Sequence, residues 1–343
     1  MTSSQPTAHS TPARPATDGE PSPGSVVPSA IGGSRAPGVF DADAFAPLSD
    51  AVRRGPADFD AFWQVARDEA LAVDPQPERV EVVSRDDDRV VTRVRLRTTD
   101  GIGLGGWLSE PATGPVTRVV VRLHGYGGAE GPHAPLDLPE TAELTPVLRG
   151  LPTLGLVAGI PTTGDLHVLH GIGHRDTYVH RGCVQDAWVS VTAALRLVPG
   201  AQRVDLTGTS FGGGVGALAL PLEDRVTAAC LDVPSFGNHP ARLETPCAGS
   251  GESVRLAALD DPGVRDVVAY FDAATAATRV RQPVLVSAAR VDPVVPPVGQ
   301  LSVFHALGGP RSLLLVTAGH CEYPGQEREG RTVRAACAEW LRG

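Results

Sequence analysis

The chain has no lysine: all 30 of its basic residues are arginine, against 39 acidic ones, for a net charge of −9 over 343 residues. An acidic balance without a clustered lysine-arginine stripe offers no phosphate-binding face, so nucleic acid is not an expected partner. Long apolar runs are missing too. The longest, near residues 151–160, is broken by proline and glycine and falls well short of the roughly 18 residues that a membrane-spanning helix needs, so no membrane is expected as a partner. Cysteine is scarce: Cys183, Cys230, Cys247, Cys321 and Cys337 are odd in number, widely spaced and form no Cys-x-x-Cys pair. Neither a disulfide framework nor a zinc site is indicated, and a reducing cytoplasm is the expected compartment. Residues 1–38 lack both a basic start leading into an apolar stretch and a small-residue cleavage site. Rich in Ser, Thr, Pro, Ala and Gly, they read as a soluble, disordered tail.

Apolar residues make up 42% of the chain and charged ones 20%, which is the composition of a globular protein able to bury a sizeable core. Residues 39–343 are expected to form the folded unit. Phe59, Phe62, Trp63 and Ala66 recur at helical spacing just after Pro56 and predict an amphipathic helix docked on a core. Strand-like segments follow at residues 80–84, 90–98 and 102–109, joined by turn-like Asp86-Asp87-Asp88 and Asp100-Gly101, and predict an antiparallel meander. From Arg118 onward, short apolar segments at residues 119–123, 154–160, 204–207, 228–231, 283–287 and 312–316 alternate with helical stretches. That rhythm predicts an α/β protein with a mostly parallel central sheet and helices on both faces, because parallel strands need crossover connections. Residues 238–264, rich in Pro, Gly and Ser, interrupt the rhythm and are expected to form an insertion near the carboxyl ends of the strands, where ligands bind in such sheets.

The sharpest motif is Gly208-Thr209-Ser210-Phe211-Gly212-Gly213-Gly214, directly after the segment at residues 204–207 and before a small-residue helix. Glycines two before and two after a serine allow a strained strand-to-helix turn that lifts the hydroxyl above the sheet. A serine hydroxyl is a poor nucleophile until a base takes its proton, and that base needs an acid to orient it. In the order serine, acid, histidine, the chain supplies Asp292 after the segment at residues 283–287 and His320 after that at residues 312–316. All three lie at predicted strand ends. The oxyanion hole is expected from two backbone N–H groups, those of Phe211 and of Tyr126 in His124-Gly125-Tyr126-Gly127-Gly128.

From about Ala57 onward the chain resembles the acetyl xylan esterase and cephalosporin C deacetylase family of α/β-hydrolases. The resemblance is carried by residues 59–63, His124-Gly125-Tyr126, Tyr178 with Arg181-Gly182 and Asp186, residues 208–214, Val233-Pro234, Tyr270-Phe271, residues 283–286, Asp292 with Pro296-Pro297, and Gly319-His320. It implies an α/β-hydrolase fold, Ser210 as nucleophile, His320 as general base, Asp292 as its orienting acid, and the amides of Tyr126 and Phe211 as oxyanion hole. It implies a small acyl ester, acetyl above all, of a carbohydrate or specialised metabolite as substrate, no metal or organic cofactor, and a homo-oligomer built from trimers. Three motifs depart from the family's pattern: Gly159-Ile160-Pro161 where Arg-Gly-Gln is usual, Phe211 where Gln follows the nucleophile, and His320-Cys321-Glu322 where His is followed directly by Glu.

Two other functions stay open at this point: an acyltransferase or lactone-forming enzyme using the same triad, and a non-catalytic binding protein of the same fold. His167, His170, His174 and His180 invite a metal reading, but Gly164, Gly171 and Gly173 argue against the helix that would converge them, and the stretch reads as a loop at the site's rim. Residues 103–106 lack the lysine and the strand-to-helix setting of a phosphate loop.

Overall fold

Val119, Val120 and Val121 are each wholly buried, yet they do not share one core. Side chains alternate across a strand, so Val119 and Val121 enter the larger of two apolar cores while Val120 enters the smaller one on the opposite face. Ala229 and Leu231 against Ala228 and Cys230 repeat the division one strand further on. A sheet apolar on both faces must be covered on both, and each such Val or Leu contributes about 1.5–3 kcal/mol by leaving water.

The computed structural model describes residues 48–343 and the backbone of a two-residue strand, Val26–Val27. The rest of the tail expected over residues 1–38 lies outside the described residues. Ten strands form the sheet: β1 (Val26–Val27), β2 (Glu78–Arg85), β3 (Arg89–Arg97), β4 (Gly103–Pro111), β5 (Arg118–Leu123), β6 (Thr141–Pro146), β7 (Arg203–Thr209), β8 (Val226–Asp232), β9 (Val284–Val291) and β10 (Arg311–Ala318). Their spatial order is β1-β10-β9-β8-β7-β5-β6-β4-β3-β2. Strands β5 to β10 run parallel; β2, β3 and β4 form the antiparallel meander and join the edge of β6. This is the α/β-hydrolase arrangement expected from the sequence.

Helices Phe59–Ala72, Val179–Leu197 and Phe211–Ala219 cover the larger core. The first is pinned by an aromatic cluster: Trp63 packs edge-on against Trp188 and Phe271, and its Nε1 donates to the Tyr270 carbonyl at 2.8 Å. Helix Gln326–Arg342 covers the smaller core through Cys337, Ala338 and Leu341. Between β8 and β9 the chain forms the helices His239–Arg242, Ser250–Asp260, Gly263–Val268 and Ala273–Ala277. None of the described helices is long and apolar enough to cross a membrane.

One strand lies elsewhere than the apolar pattern predicts. Residues 154–160 are turns, and the strand preceding them is Thr141–Pro146, fully buried although half its side chains are polar. Burial is possible because Glu143 is satisfied: it accepts from Arg122 at 2.5 Å and from the Leu136 amide at 2.9 Å, with Arg89 at 3.8 Å. The run at residues 154–160 instead places Leu154 beside Gly105, whose amide donates to the Leu154 carbonyl at 2.8 Å.

The shift relocates an arginine. After β6 the chain reads Arg149-Gly150, so the arginine-glycine pair that the sequence was expected to lack near Gly159 stands ten residues earlier. Arg149 is 4% exposed. It donates to Asp186 at 2.7 Å, to Thr99 Oγ1 at 2.7 Å and to Asp100 at 2.9 Å, tying the β3–β4 turn to helix Val179–Leu197. Removing one partner of such a pair strands a buried charge. Arg149→Met is therefore expected to lower unfolding free energy in urea by about 3–5 kcal/mol, and the double variant Arg149→Met/Asp186→Leu to recover part of that loss.

Candidate active site

Strand register decides what meets at the top of the sheet. Leu123 pairs with Gly208, Thr209 with Asp232, Asp232 with Ser287, and Ala318 with Val291, so β5, β7, β8, β9 and β10 end at one level. Ser210, Asp292 and His320 follow those ends.

Ser210 sits at φ 54°, ψ −113°, a backbone conformation that residues with a Cβ rarely adopt. Three backbone bonds hold it there: its N–H donates to the Asp232 carbonyl at 2.8 Å, and its carbonyl accepts from Ser235 and Gly214, each at 3.0 Å. Glycine is required at 208 and 212 because a Cβ at either would press into backbone, that of residues 212–213 in the first case and of Leu123 and His124 in the second. Phe211 opens the helix with its ring fully buried.

Asp292 is 7% exposed and its carboxylate is fully engaged. Oδ1 accepts from the amides of Val294 and Val295, both at 2.9 Å; Oδ2 accepts from Gln300 Nε2 at 2.9 Å and from His320 Nδ1 at 2.8 Å. His320 then reaches Ser210 Oγ through Nε2 at 2.9 Å, on the solvent-facing side. With Asp292 accepting at Nδ1, the neutral ring carries its proton on Nδ1 and presents the Nε2 lone pair to the serine hydroxyl.

The loop after β5 flanks the serine. A Cβ at Gly125 would lie 3.7 Å from that of Ser210. His124 fixes the loop's exit, donating from Nδ1 to the Gly125 carbonyl at 2.7 Å and accepting the Leu148 amide at Nε2 at 3.0 Å; burial lowers its pKa and keeps it neutral. Tyr126 stacks on Phe211 with centroids 4.2 Å apart, and its hydroxyl meets His180 Nε2 at 2.7 Å.

The histidine stretch is not a rim loop throughout. His167 and His180 are buried, His167 at the end of the short helix Gly164–His167 with Nε2 donating to the Arg149 carbonyl at 2.9 Å, and His180 in the helix Val179–Leu197. Among the described residues, no three histidine, cysteine or acidic side chains converge as a metal site would require.

Sequence reasoning passed over Asp232. This acid ends β8 opposite Thr209, its carboxylate accepts from Ser287 Oγ at 2.5 Å, and burial raises its pKa. The signal in the sequence was a carboxylate closing the apolar run at residues 228–231; its place beside Thr209 comes from the strand register.

The family model described as acetyl xylan esterase matches residues 50–339. The chain belongs to the acetyl xylan esterase family. Members of this family are carboxylic ester hydrolases. A curated relative, acetyl esterase Axe7A of Xylanibacter ruminicola, is 25% identical over 295 residues, covering 79% of this chain; the chain spans 65% of that relative's length. Among solved structures, the acetyl xylan esterase of Paenibacillus sp. R4 aligns with a TM-score of 0.68 at 21% identity, covering 86% of this chain and 98% of that one. Acetyl xylan esterase 1 of Thermoanaerobacterium sp. aligns with a TM-score of 0.67 at 19% identity, covering 85% and 99%. These likenesses show the α/β-hydrolase fold in this acetyl xylan esterase family member.

Burial beneath the site has a pH consequence. It lowers the His167 pKa from 6.5 to about 4 in the folded chain, so on acidification the unfolded chain takes up that proton first. The residue's contribution to stability is complete above pH 6.5 and is lost as pH falls towards 4. The urea midpoint is expected to fall across that window, and less steeply in His167→Gln than in the wild type.

Proposed function

We propose that this chain is a serine esterase that hydrolyses small acyl esters, acetyl above all, of a carbohydrate or specialised metabolite, with Ser210 as nucleophile, His320 as general base and acid, and Asp292 as orienting acid. The observation that carries this reading is the His320 ring, bonded at one nitrogen to a fully engaged carboxylate and at the other to the hydroxyl of a strained serine.

The Ser210 Oγ proton passes to His320 Nε2 as Oγ bonds to the ester carbonyl carbon. The carbonyl oxygen becomes an oxyanion and accepts from the amides of Phe211, at the start of helix Phe211–Ala219, and of Tyr126, in the loop beside Gly125. The bond to the alcohol oxygen breaks, and that oxygen takes the proton from Nε2. Water then repeats the sequence on the acyl-enzyme, releasing the carboxylic acid and restoring Ser210. Asp292 keeps Nδ1 protonated and stabilises the transient imidazolium. We further place the protein in a reducing compartment, in keeping with its five free thiols.

Acyl transfer to a second alcohol would gain from an apolar shield beside the nucleophile. Phe211 does not supply one: wholly buried and stacked on Tyr126, it has no surface left to keep water from an acyl-enzyme, and hydrolysis is the reading we favour.

Ser210→Ala is expected to lower kcat for p-nitrophenyl acetate by at least about 10⁴-fold while leaving the circular dichroism spectrum unchanged. A fluorophosphonate should label the wild type at Ser210, and retained wild-type turnover in the variant would sink the assignment. Across p-nitrophenyl esters from acetate to octanoate, kcat/KM is expected to be greatest for acetate; a maximum at longer chains would overturn the small-acyl reading.

A further inference from the structure

The insertion between β8 and β9 holds an arginine that the reaction does not use. Arg242, at the end of helix His239–Arg242, is 5% exposed, and among the described residues its guanidinium makes no hydrogen bond or ion pair, although arginine is almost never buried unpaired. The neighbouring acids are engaged elsewhere. Asp272 accepts from the amides of Asn238, His239, Ala274 and Thr275; Glu252 accepts from Arg255 and from the Cys247 amide.

The guanidinium lies against the first turn of helix Ser250–Asp260. A Cβ at Gly251 would overlap it and would press on Cys247 Sγ at 3.0 Å. Burial raises the Cys247 thiol pKa, so no thiolate balances the charge. The helix begins after Gly249, which has no side chain to cap it, and among the described residues the amides of Ser250 and Gly251 donate to no other group.

A cavity of about 10 Å³ lies between these groups, lined by Arg242, Ser250 and Gly251 together with Ser235, Tyr178 and His239. His239 Nδ1 is also buried without a partner. The space holds one particle of about the size of a water molecule. A water there would satisfy hydrogen bonds but leave the buried charge unbalanced. A monatomic anion balances it and also accepts from the free end of a helix, where negative charge is favoured.

We propose that this cavity is a halide site that takes chloride. Val294 and Val295 line it as well, and their amides hold Asp292 Oδ1, so the ion ties the insertion to the turn that carries Asp292. The proposal is independent of the esterase reading: a chain without hydrolytic activity would hold the same ion.

The test measures Tm at matched ionic strength in sodium chloride and in sodium gluconate, whose anion is too large for the cavity. Replacing gluconate by about 200 mM chloride is expected to raise the wild-type Tm by at least about 3 °C, and Arg242→Met to abolish the rise. Equal wild-type Tm values in the two salts, or a rise that Arg242→Met retains, overturn the site. Wild-type crystals grown in sodium bromide decide the matter even where Arg242→Met does not fold: an anomalous peak at the bromine edge within hydrogen-bond reach of the guanidinium is the expected result, and a water alone at that position overturns the proposal.

Discussion

The backbone of Ser210 is the constraint on which the site depends. At φ 54°, ψ −113° a serine is held against its own preference, and three hydrogen bonds do the holding, one of them to the carbonyl of Asp232 on the neighbouring strand. The strain is thus carried by the sheet. Strand register, glycines at 208 and 212, and the packing of helix Phe211–Ala219 all have to agree before the hydroxyl can face His320.

A second network stabilises the shell rather than the serine. Arg149 and Asp186 join the β3–β4 turn to helix Val179–Leu197, and His167 bonds to the Arg149 carbonyl from below the loop that carries Tyr126. The Tyr126 ring is held between His180 and Phe211. A phenyl ring directly after Ser210 therefore serves as a stacking surface for Tyr126, in a position where the resemblance led us to expect an amide side chain.

What was legible in the sequence was whatever the backbone dictates locally. Ser210, Asp292 and His320 could be read because each follows a short apolar segment and because a glycine-serine-glycine turn leaves few conformations. Strand β6 could not: Thr141-Ala142-Glu143-Leu144-Thr145-Pro146 alternates polar and apolar residues, the pattern of a half-exposed strand and not the apolar run of a buried parallel one, and its full burial depends on Arg122, an arginine one strand away. That misplacement carried Arg149 with it. His167 and His180 were misjudged for a related reason, since glycine spacing argues against a long helix but cannot show that a short one begins at Gly164 or that helix Val179–Leu197 begins one residue before His180. Asp232 needed the register of two strands before it could be seen beside Thr209.

His320 and helix Gln326–Arg342 both complete structures begun much earlier in the sequence: the hydrogen-bonded row that starts at Ser210, and the core to which Val120 contributes. During synthesis the turn at Ser210 can form before His320 has left the ribosome. Until helix Gln326–Arg342 docks, the smaller-core face of the sheet stays bare, the kind of surface that chaperones recognise. The contact of His320 with Ser210 and the cover of the smaller core arrive together, within the same two dozen or so residues.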